Sequence, residues 1–123
     1  MKKIVLIISI FTFLSGCFIA ANTTTPKVED INGYTFVYTK DINVFVKFNQ
    51  GMIYGNTGIN QFMGEYKIQN NKLILYQVAI TGMVGPDDKM IFESKFVKTL
   101  SSEPIIRLKN NHSLYIGKYH FEK

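Results

Sequence analysis

From Val28 onward, apolar and polar residues mostly alternate along the chain, which is the pattern of half-buried β-strands. Alternating runs occupy residues 34–39, 44–48, 52–55, 65–68 and 73–78, and shorter runs follow at 105–109, 113–116 and 119–122. Asn-Gln-Gly at 49–51 and Gln-Asn-Asn at 69–71 separate neighbouring runs, and such residues favour hairpin turns. Because no strand–helix–strand alternation appears, the pattern predicts an antiparallel sheet.

One segment interrupts the alternation and predicts a helix over about residues 86–100. Pro86 stands at the expected first helical position, two acidic residues follow it, and Pro104 comes after the predicted end. Apolar residues recur at helical spacing on one side of this helix, at Met90, Phe92, Phe96, Val97 and Leu100. Glu93 lies in the middle of that apolar stripe, so its carboxylate is predicted to point inward and to need a hydrogen-bonding partner.

Two roles are open for Glu93 from the sequence. One is a tuned acid or base in a cleft. The other is a structural anchor that accepts hydrogen bonds from a neighbouring turn, with backbone amides of residues 58–62 as the expected donors. No nucleophile or second acid accompanies Glu93, which favours the anchor and predicts a protein that is not an enzyme. His112 and His120 have no partner at metal-ligand spacing, so neither a metal nor a cofactor is expected.

The N-terminal residues have the organisation of a bacterial lipoprotein signal peptide. A basic start at residues 1–3 precedes eleven apolar residues at 4–14, which are short of the about 20 that span a bilayer. Leu-Ser-Gly-Cys at 14–17 resembles a lipobox, and Cys17, the only cysteine, would be the lipid acceptor. An uncleaved anchor helix over residues 4–21 is the alternative. The predicted organisation is a signal peptide at 1–16, a lipid-anchored linker at 17–27 and a domain at 28–123.

The predicted cleavage leaves a mildly basic protein. The full chain carries 14 Lys plus Arg against 9 Asp plus Glu, and losing Lys2 and Lys3 leaves 12 against 9, a net charge of +3. These charges form no stripe, so nucleic-acid binding is not expected. The lipid on Cys17, including palmitate, would tether the domain to the bacterial envelope. Because Phe18 rather than Asp follows Cys17, we expect the periplasmic face of the outer membrane in a Gram-negative cell.

The glycine-rich stretch at 52–66 is the remaining candidate site. Its three glycines, Gly55, Gly58 and Gly64, allow sharp turns between apolar runs. Residues 55–58 match a bare G-x-x-G, but they contain no basic residue and precede no predicted helix, which argues against a phosphate site. The stretch is therefore predicted to be scaffold.

The same stretch resembles the G-x-x-G-C-N-x-[aromatic]-x-G-x-Y signature of META-domain proteins, the HslJ-like heat-shock and motility-associated family. The matching residues are Gly55, Gly58, Asn60, Gly64 and Tyr66. Further along, Thr81 and Met83 are similar to the T-x-M element of the family, and Glu93 opens a segment similar to its E-x-x-F-x-x-x-L helix. The family often has Cys at the positions of Ile59 and Gly85, which is consistent with the loss of a paired bridge. The Trp near the start of the family's domain is replaced by Tyr34 in this chain.

The resemblance implies an α+β fold: a mostly antiparallel sheet, curved or closed into a small barrel, with one packed helix. It also implies an envelope lipoprotein without enzymatic activity, associated with stress responses. We therefore expect a stress-response or envelope-assembly accessory that contacts an unidentified envelope protein. The alternative is a binder of a hydrophobic small molecule or lipid within the curved sheet, as in the similar fold of secretin pilot proteins. A filled sheet interior would argue against that alternative.

Overall fold

A computed structural model describes residues 23–123, and within them the chain forms nine strands and two helices. In chain order the elements are β1 (Thr23–Thr24), α1 (Val28–Ile31), β2 (Thr35–Tyr38), β3 (Val44–Asn49), β4 (Met52–Thr57), β5 (Gln61–Gln69), β6 (Lys72–Ile80), α2 (Asp87–Leu100), β7 (Ile106–Lys109), β8 (Ser113–Ile116) and β9 (Tyr119–Glu122). Asn70 and Asn71 have positive φ angles of 54° and 67°, which fits the predicted turn between β5 and β6. No helix within this part of the chain is long and apolar enough to cross a membrane.

All neighbouring strands are antiparallel, in the order β1-β7-β8-β9-β2-β3-β4-β5-β6. The sheet curls far enough for its two sides to meet at one end. There, Lys72 forms a bridge with Ile105, and the Leu73 amide donates to the Pro104 carbonyl at 2.9 Å. The sheet is therefore a half-barrel, and the predicted α+β class with a curved antiparallel sheet is confirmed.

Helix α2 packs onto the concave side of the half-barrel and completes the core. Phe96 is fully buried and Leu100 nearly so, whereas Lys95 and Lys98 are exposed, as the helical spacing predicts. The Phe96 ring lies 5.1 Å from Tyr119 and 6.0 Å from Phe121 between ring centroids, so side chains fill the interior. Each such side chain contributes about 1.5–3 kcal/mol through burial. The helix begins one residue later than predicted, because Pro86 has an extended ψ of 152° and precedes the first helical residue.

The predicted linker at 17–27 needs correction at its C-terminal end. Thr23 and Thr24 pair with β7 as strand β1, and Pro26 is buried. The one-turn helix α1 was not predicted; it forms where the Lys27 amide donates to the Asp30 carboxylate at 2.8 Å. The folded part therefore starts before residue 28. The predicted signal peptide and Cys17 lie outside the described residues.

The glycine-rich stretch is mostly strand rather than turn. Gly55 belongs to β4 and Gly64 to β5, and only residues 58–60 connect the two strands, with Gly58 at φ 98°. A Cβ on Gly55 would overlap the Phe62 ring, and one on Gly64 would lie 2.9 Å from a Val78 methyl carbon. These two glycines therefore permit close approach of neighbouring strands and not a reversal of the chain.

Candidate functional site

Glu93 connects helix α2 to the turn between β4 and β5. Its Oε2 accepts hydrogen bonds from the Thr57 hydroxyl at 2.6 Å and from the Asn60 side-chain amide at 2.8 Å. Both donors are buried, with exposures of 1% and 2%. The predicted location of this contact is correct, but the predicted donors are wrong, because side chains take the place of backbone amides. Thr57 was missed, although it continues the inward alternation of β4 beyond Gly55.

The Asn60 side chain extends this connection to the segment that follows β6. Its Oδ1 accepts from the Thr81 hydroxyl at 2.7 Å and from the Met83 amide at 2.6 Å. Its Nδ2 also donates to the Met83 carbonyl at 3.0 Å. The side chain thus pairs with the Met83 backbone as a neighbouring strand would. We call Thr57, Asn60, Thr81, Met83 and Glu93 the polar network.

The chemistry of the polar network is that of a structural anchor. Each buried polar group in it has a partner, which is the arrangement that offsets the cost of burial. No cluster of three or more His, Asp, Glu or Cys side chains suited to a metal occurs within residues 23–123. The Oε2 atom of Glu93 is held by two neutral donors, the Thr57 hydroxyl and the Asn60 amide.

Beside the polar network, an apolar groove runs between α2 and the edge formed by β6 and its continuation. One part is a cavity of about 270 Å³ lined mainly by Phe62, Leu75, Val78, Ile80, Val97 and Leu100. A second part of about 520 Å³ continues along residues 80–84 and is bounded on the helix side by Met90, Glu93, Ser94, Val97 and Lys98. Val78 and Ile80 are 47% and 43% exposed. We call this surface the β6–α2 groove.

The β6–α2 groove was not predicted from the sequence. The sequence feature that could have indicated the groove is the uncharged run at residues 76–80, but such a run is equally typical of an ordinary strand. A further shallow groove of about 390 Å³ lies on the face of the sheet turned away from the core, where Phe45, Tyr54 and Met63 contribute to its lining. Both grooves lie outside the filled interior of the half-barrel.

The META domain model matches residues 21–120, which is most of the chain. The chain belongs to the META domain family. It is also similar to an NMR structure with 18% identity and a TM-score of 0.64, covering 79% of this chain and 94% of the other. A second NMR structure, from Burkholderia xenovorans, has 12% identity and a TM-score of 0.62, covering 99% and 97%. At such identities the likeness shows the fold alone, and no curated protein matches the chain.

In this META domain, Ile59 and Gly85 are in contact, at the two positions where the family often has cysteines. A Cβ on Gly85 would lie 3.1–3.4 Å from three side-chain carbons of Ile59. Ile59 therefore packs over the space that Gly85 leaves. Van der Waals contact connects the β4–β5 turn to residue 85 here, where a crosslink would connect them in a chain with both cysteines.

The remaining motif residues of the META domain take part in a turn, in core packing or in backbone hydrogen bonds. Gly58 sits in the β4–β5 turn, where its amide donates to the Asn56 side chain at 2.7 Å. Tyr66 is buried against Phe48, with ring centroids 5.0 Å apart, and burial raises the pKa of its phenol. The Met83 side chain is 61% exposed, so only its backbone takes part in the polar network. The META domain is not a known catalytic family, which agrees with these surroundings.

Proposed function

We propose that this META domain protein is an envelope lipoprotein that acts by binding another protein rather than by catalysis. The observation that carries the proposal is the contrast between the polar network and the surface beside it. Asn60 donates to Glu93 and accepts from Thr81, so these polar motif residues are occupied in holding the fold. The apolar side chains of Val78 and Ile80 are left accessible, and exposed apolar patches of this kind are typical of protein contacts.

The lipid anchor of this proposal rests on the leader and on Cys17. Five residues separate Cys17 from Thr23, where the described chain pairs with β7. A spacer of that length would keep the domain close to the membrane, on the periplasmic face of the outer membrane in a Gram-negative cell. Labelled palmitate should follow the wild-type protein and be absent from Cys17→Ala. Labelling that survives in Cys17→Ala would overturn the anchor.

Affinity capture of the membrane-anchored protein tests binding against catalysis. We expect a defined envelope protein to be recovered with wild type and with a folded Glu93→Gln variant, because the Oε2 atom of Glu93 is bonded to Thr57 and Asn60 and the substitution leaves Val78 and Ile80 unchanged. A stress-response or assembly role would then follow from the identity of that partner and from loss of the same phenotype when either gene is deleted. A Glu93→Gln variant that keeps its partner but loses the cellular function would favour catalysis instead.

A hydrophobic ligand is the second candidate, and the geometry changes where it would bind. The interior that the earlier expectation assigned to it is filled by aromatic side chains such as Phe96 and Phe121. The surface groove of about 390 Å³ at Tyr54 and Met63 has an apolar lining and a volume within the range of small-molecule sites. Lipid analysis of the captured protein tests this candidate. A stoichiometric apolar molecule would support ligand binding, and its absence would rule ligand binding out.

A further inference from the structure

Strand β6 leaves one of its edges without a partner over most of its length. Its first residues are bonded on that edge, where the Leu73 amide donates to Pro104. Because amide direction alternates along a strand, the Leu75 amide points to the same side. Further on, the Thr81 amide donates back to the Gln61 carbonyl of β5, so the preceding residue, Ile80, turns its amide to the open edge. No backbone hydrogen bond within the described residues joins 74–80 to an element on that side.

A β-bulge determines which side chains of this edge face α2. The register with β5 shifts between Met63 and Glu65, where Gln77 takes a positive φ of 48°. In an unbroken alternation from Leu73 and Leu75, residues 77 and 79 would point toward the helix. Gln77 does line the groove, and the bulge brings Val78 and then Ile80 to the same side. The bulge therefore places apolar side chains beside the open edge.

This edge lacks the features with which natural sheets discourage further pairing. Residues 76–80 include no charge and no proline, and Val78 and Ile80 are exposed to 47% and 43%. Edge strands of soluble proteins are usually protected by lysines, prolines or covering elements. Here α2 stands across a groove from the edge and leaves it accessible, which is the arrangement of a strand that accepts another strand.

The charges of the groove indicate the chemistry of the occupant. Glu93 and Lys98 are the charged side chains that line it within the described part of the chain. The Oε2 atom of Glu93 is bonded to Thr57 and Asn60, whereas Lys98 is exposed at the rim in the last turn of α2. The positive rim therefore complements an acidic group on the occupant.

We propose that the β6–α2 groove binds an extended peptide segment of a partner protein, which adds as a strand to the open edge of β6. Its alternate apolar side chains lie between Val78, Ile80 and Val97, and a carboxylate of the segment meets Lys98. A lipid tail would leave the edge amides unpaired. A second copy of this chain, paired edge to edge, would bring another uncharged edge and a second Lys98. It would not supply the carboxylate that Lys98 is proposed to meet. The inference rests on the proposed protein-binding function and names the surface and the kind of segment.

A random octapeptide library displayed on phage tests the proposal with the full chain purified in detergent. We expect selected peptides to alternate apolar residues with Asp or Glu. A synthetic copy of such a peptide should shift the amide resonances of Leu75 and Ile80 and slow their hydrogen exchange. Methylation of alternate backbone nitrogens of the peptide should weaken binding about tenfold or more, because it removes donors to the edge.

Matched variants locate the binding surface. Val78→Lys should weaken the selected peptides about tenfold or more, since a buried ammonium would face an apolar side chain. Ile42→Lys is its control, because Ile42 is 82% exposed in the β2–β3 connection and does not line the groove. Lys98→Glu should weaken acidic peptides more than Lys95→Glu does, although both variants change the charge of α2 equally. The amide spectrum of each variant confirms its fold.

Three outcomes would overturn the inference. The first is a selection that yields no peptide preferring wild type over Val78→Lys. The second is equal binding of the methylated and unmethylated peptides. The third is concentration-dependent self-association through the Ile80 edge, which assigns the groove to a second copy. If capture recovers a partner that Val78→Lys also binds, the groove assignment fails while the protein-binding function stands; if peptides bind but no cellular partner is recovered, only the cellular function fails.

Discussion

In its first half, strand β6 buries Leu73 completely and is bonded through its backbone to the residues before β7. In its second half, Val78 and Ile80 expose nearly half of their side chains beside an edge that no other strand of residues 23–123 pairs with. The two halves have similar apolar residues, so composition does not explain the difference. The closed half is covered because the curled sheet returns to it, whereas the open half faces a helix that stands away from it.

The polar network connects the two walls of the groove beside the open half. Glu93 belongs to the helix wall of the groove, and Thr81 and Met83 continue the strand wall. Asn60 bonds to all three and is itself almost fully buried. Hydrogen bonds of one side chain thus connect the two walls. The polar motif residues of this domain therefore position the exposed apolar side chains of Val78 and Ile80 beside them.

The largest expected effect separates the two halves directly. Leu73→Ala should lower the free energy of unfolding by about 2–5 kcal/mol, because it leaves a cavity in the closed half. Val78→Ala should lower it by about 0.5 kcal/mol or less, because its side chain is already half exposed. Urea unfolding of the two variants and wild type measures both values. Equal losses would mean that the open half is packed against something in the intact protein.

The sequence predicted the closed half better than the open half, for a physical reason. Period-two alternation, Asn turns and the helical stripe of Phe92, Phe96 and Leu100 report burial within elements, and these predictions are confirmed. The same alternation continues through residues 76–80, where Tyr76, Val78 and Ile80 are nonetheless exposed. The alternating pattern shows which side chains could be buried. The bulge at Gln77 and the position of α2 determine which of them are buried.

The polar network was predicted only in part. Because Glu93 is an acid on an apolar helical face, the sequence predicted that it anchors the helix to the β4–β5 turn. The donors were wrong because a side-chain amide and a hydroxyl reach further than the backbone of the same turn, and Thr57 carries no local signal for that role. Asn60 and Thr81 came from family resemblance, and their mutual contact depends on pairing between β5 and β6 that spans 21 residues.

A crosslink between the β4–β5 turn and residue 85 should have the next largest effect. Ile59→Cys combined with Gly85→Cys places two thiols at adjacent positions, since a Cβ on Gly85 would lie 3.1–3.4 Å from side-chain carbons of Ile59. The oxidised variant should be about 2–4 kcal/mol more stable than its own reduced form, because the bridge restricts the unfolded chain. Urea unfolding with and without reductant measures the difference. The single variant Ile59→Cys controls for lost packing, and an unchanged midpoint on oxidation would mean that the two segments move apart.

Removal of the network's carboxylate should have an intermediate effect. Glu93→Ala leaves the Thr57 hydroxyl and the Asn60 amide buried without their acceptor, which should cost about 1–3 kcal/mol. Glu93→Gln keeps an acceptor oxygen and should cost less. Chemical unfolding ranks the two variants, and exchange of the Met83 amide reports whether the strand wall loosens. A Glu93→Ala variant as stable as wild type would show that apolar packing alone holds the groove walls.

The smallest expected effect concerns the other flank of α2, where the Lys89 Nζ lies 3.3 Å from the Asp41 Oδ2. The Asn43 amide, aided by Lys89, holds the pKa of Asp41 below its ordinary value of 3.8. A lowered pKa means that the folded state favours the charged carboxylate. The resulting stability is therefore present above pH 3.8 and is lost as the pH falls through the lowered pKa. Asp41→Asn should cost less than about 1 kcal/mol at pH 7, because the pair is partly exposed.

The same variant should be indistinguishable from wild type once Asp41 is protonated, in urea unfolding followed down to about pH 2. A deficit that persists there would assign the cost to lost packing or capping at Asp41 instead of to its charge. The ion pair would then contribute nothing to holding α2. In that case the hydrogen bonds of Glu93, on the groove side of the helix, would carry its polar attachment to the sheet alone.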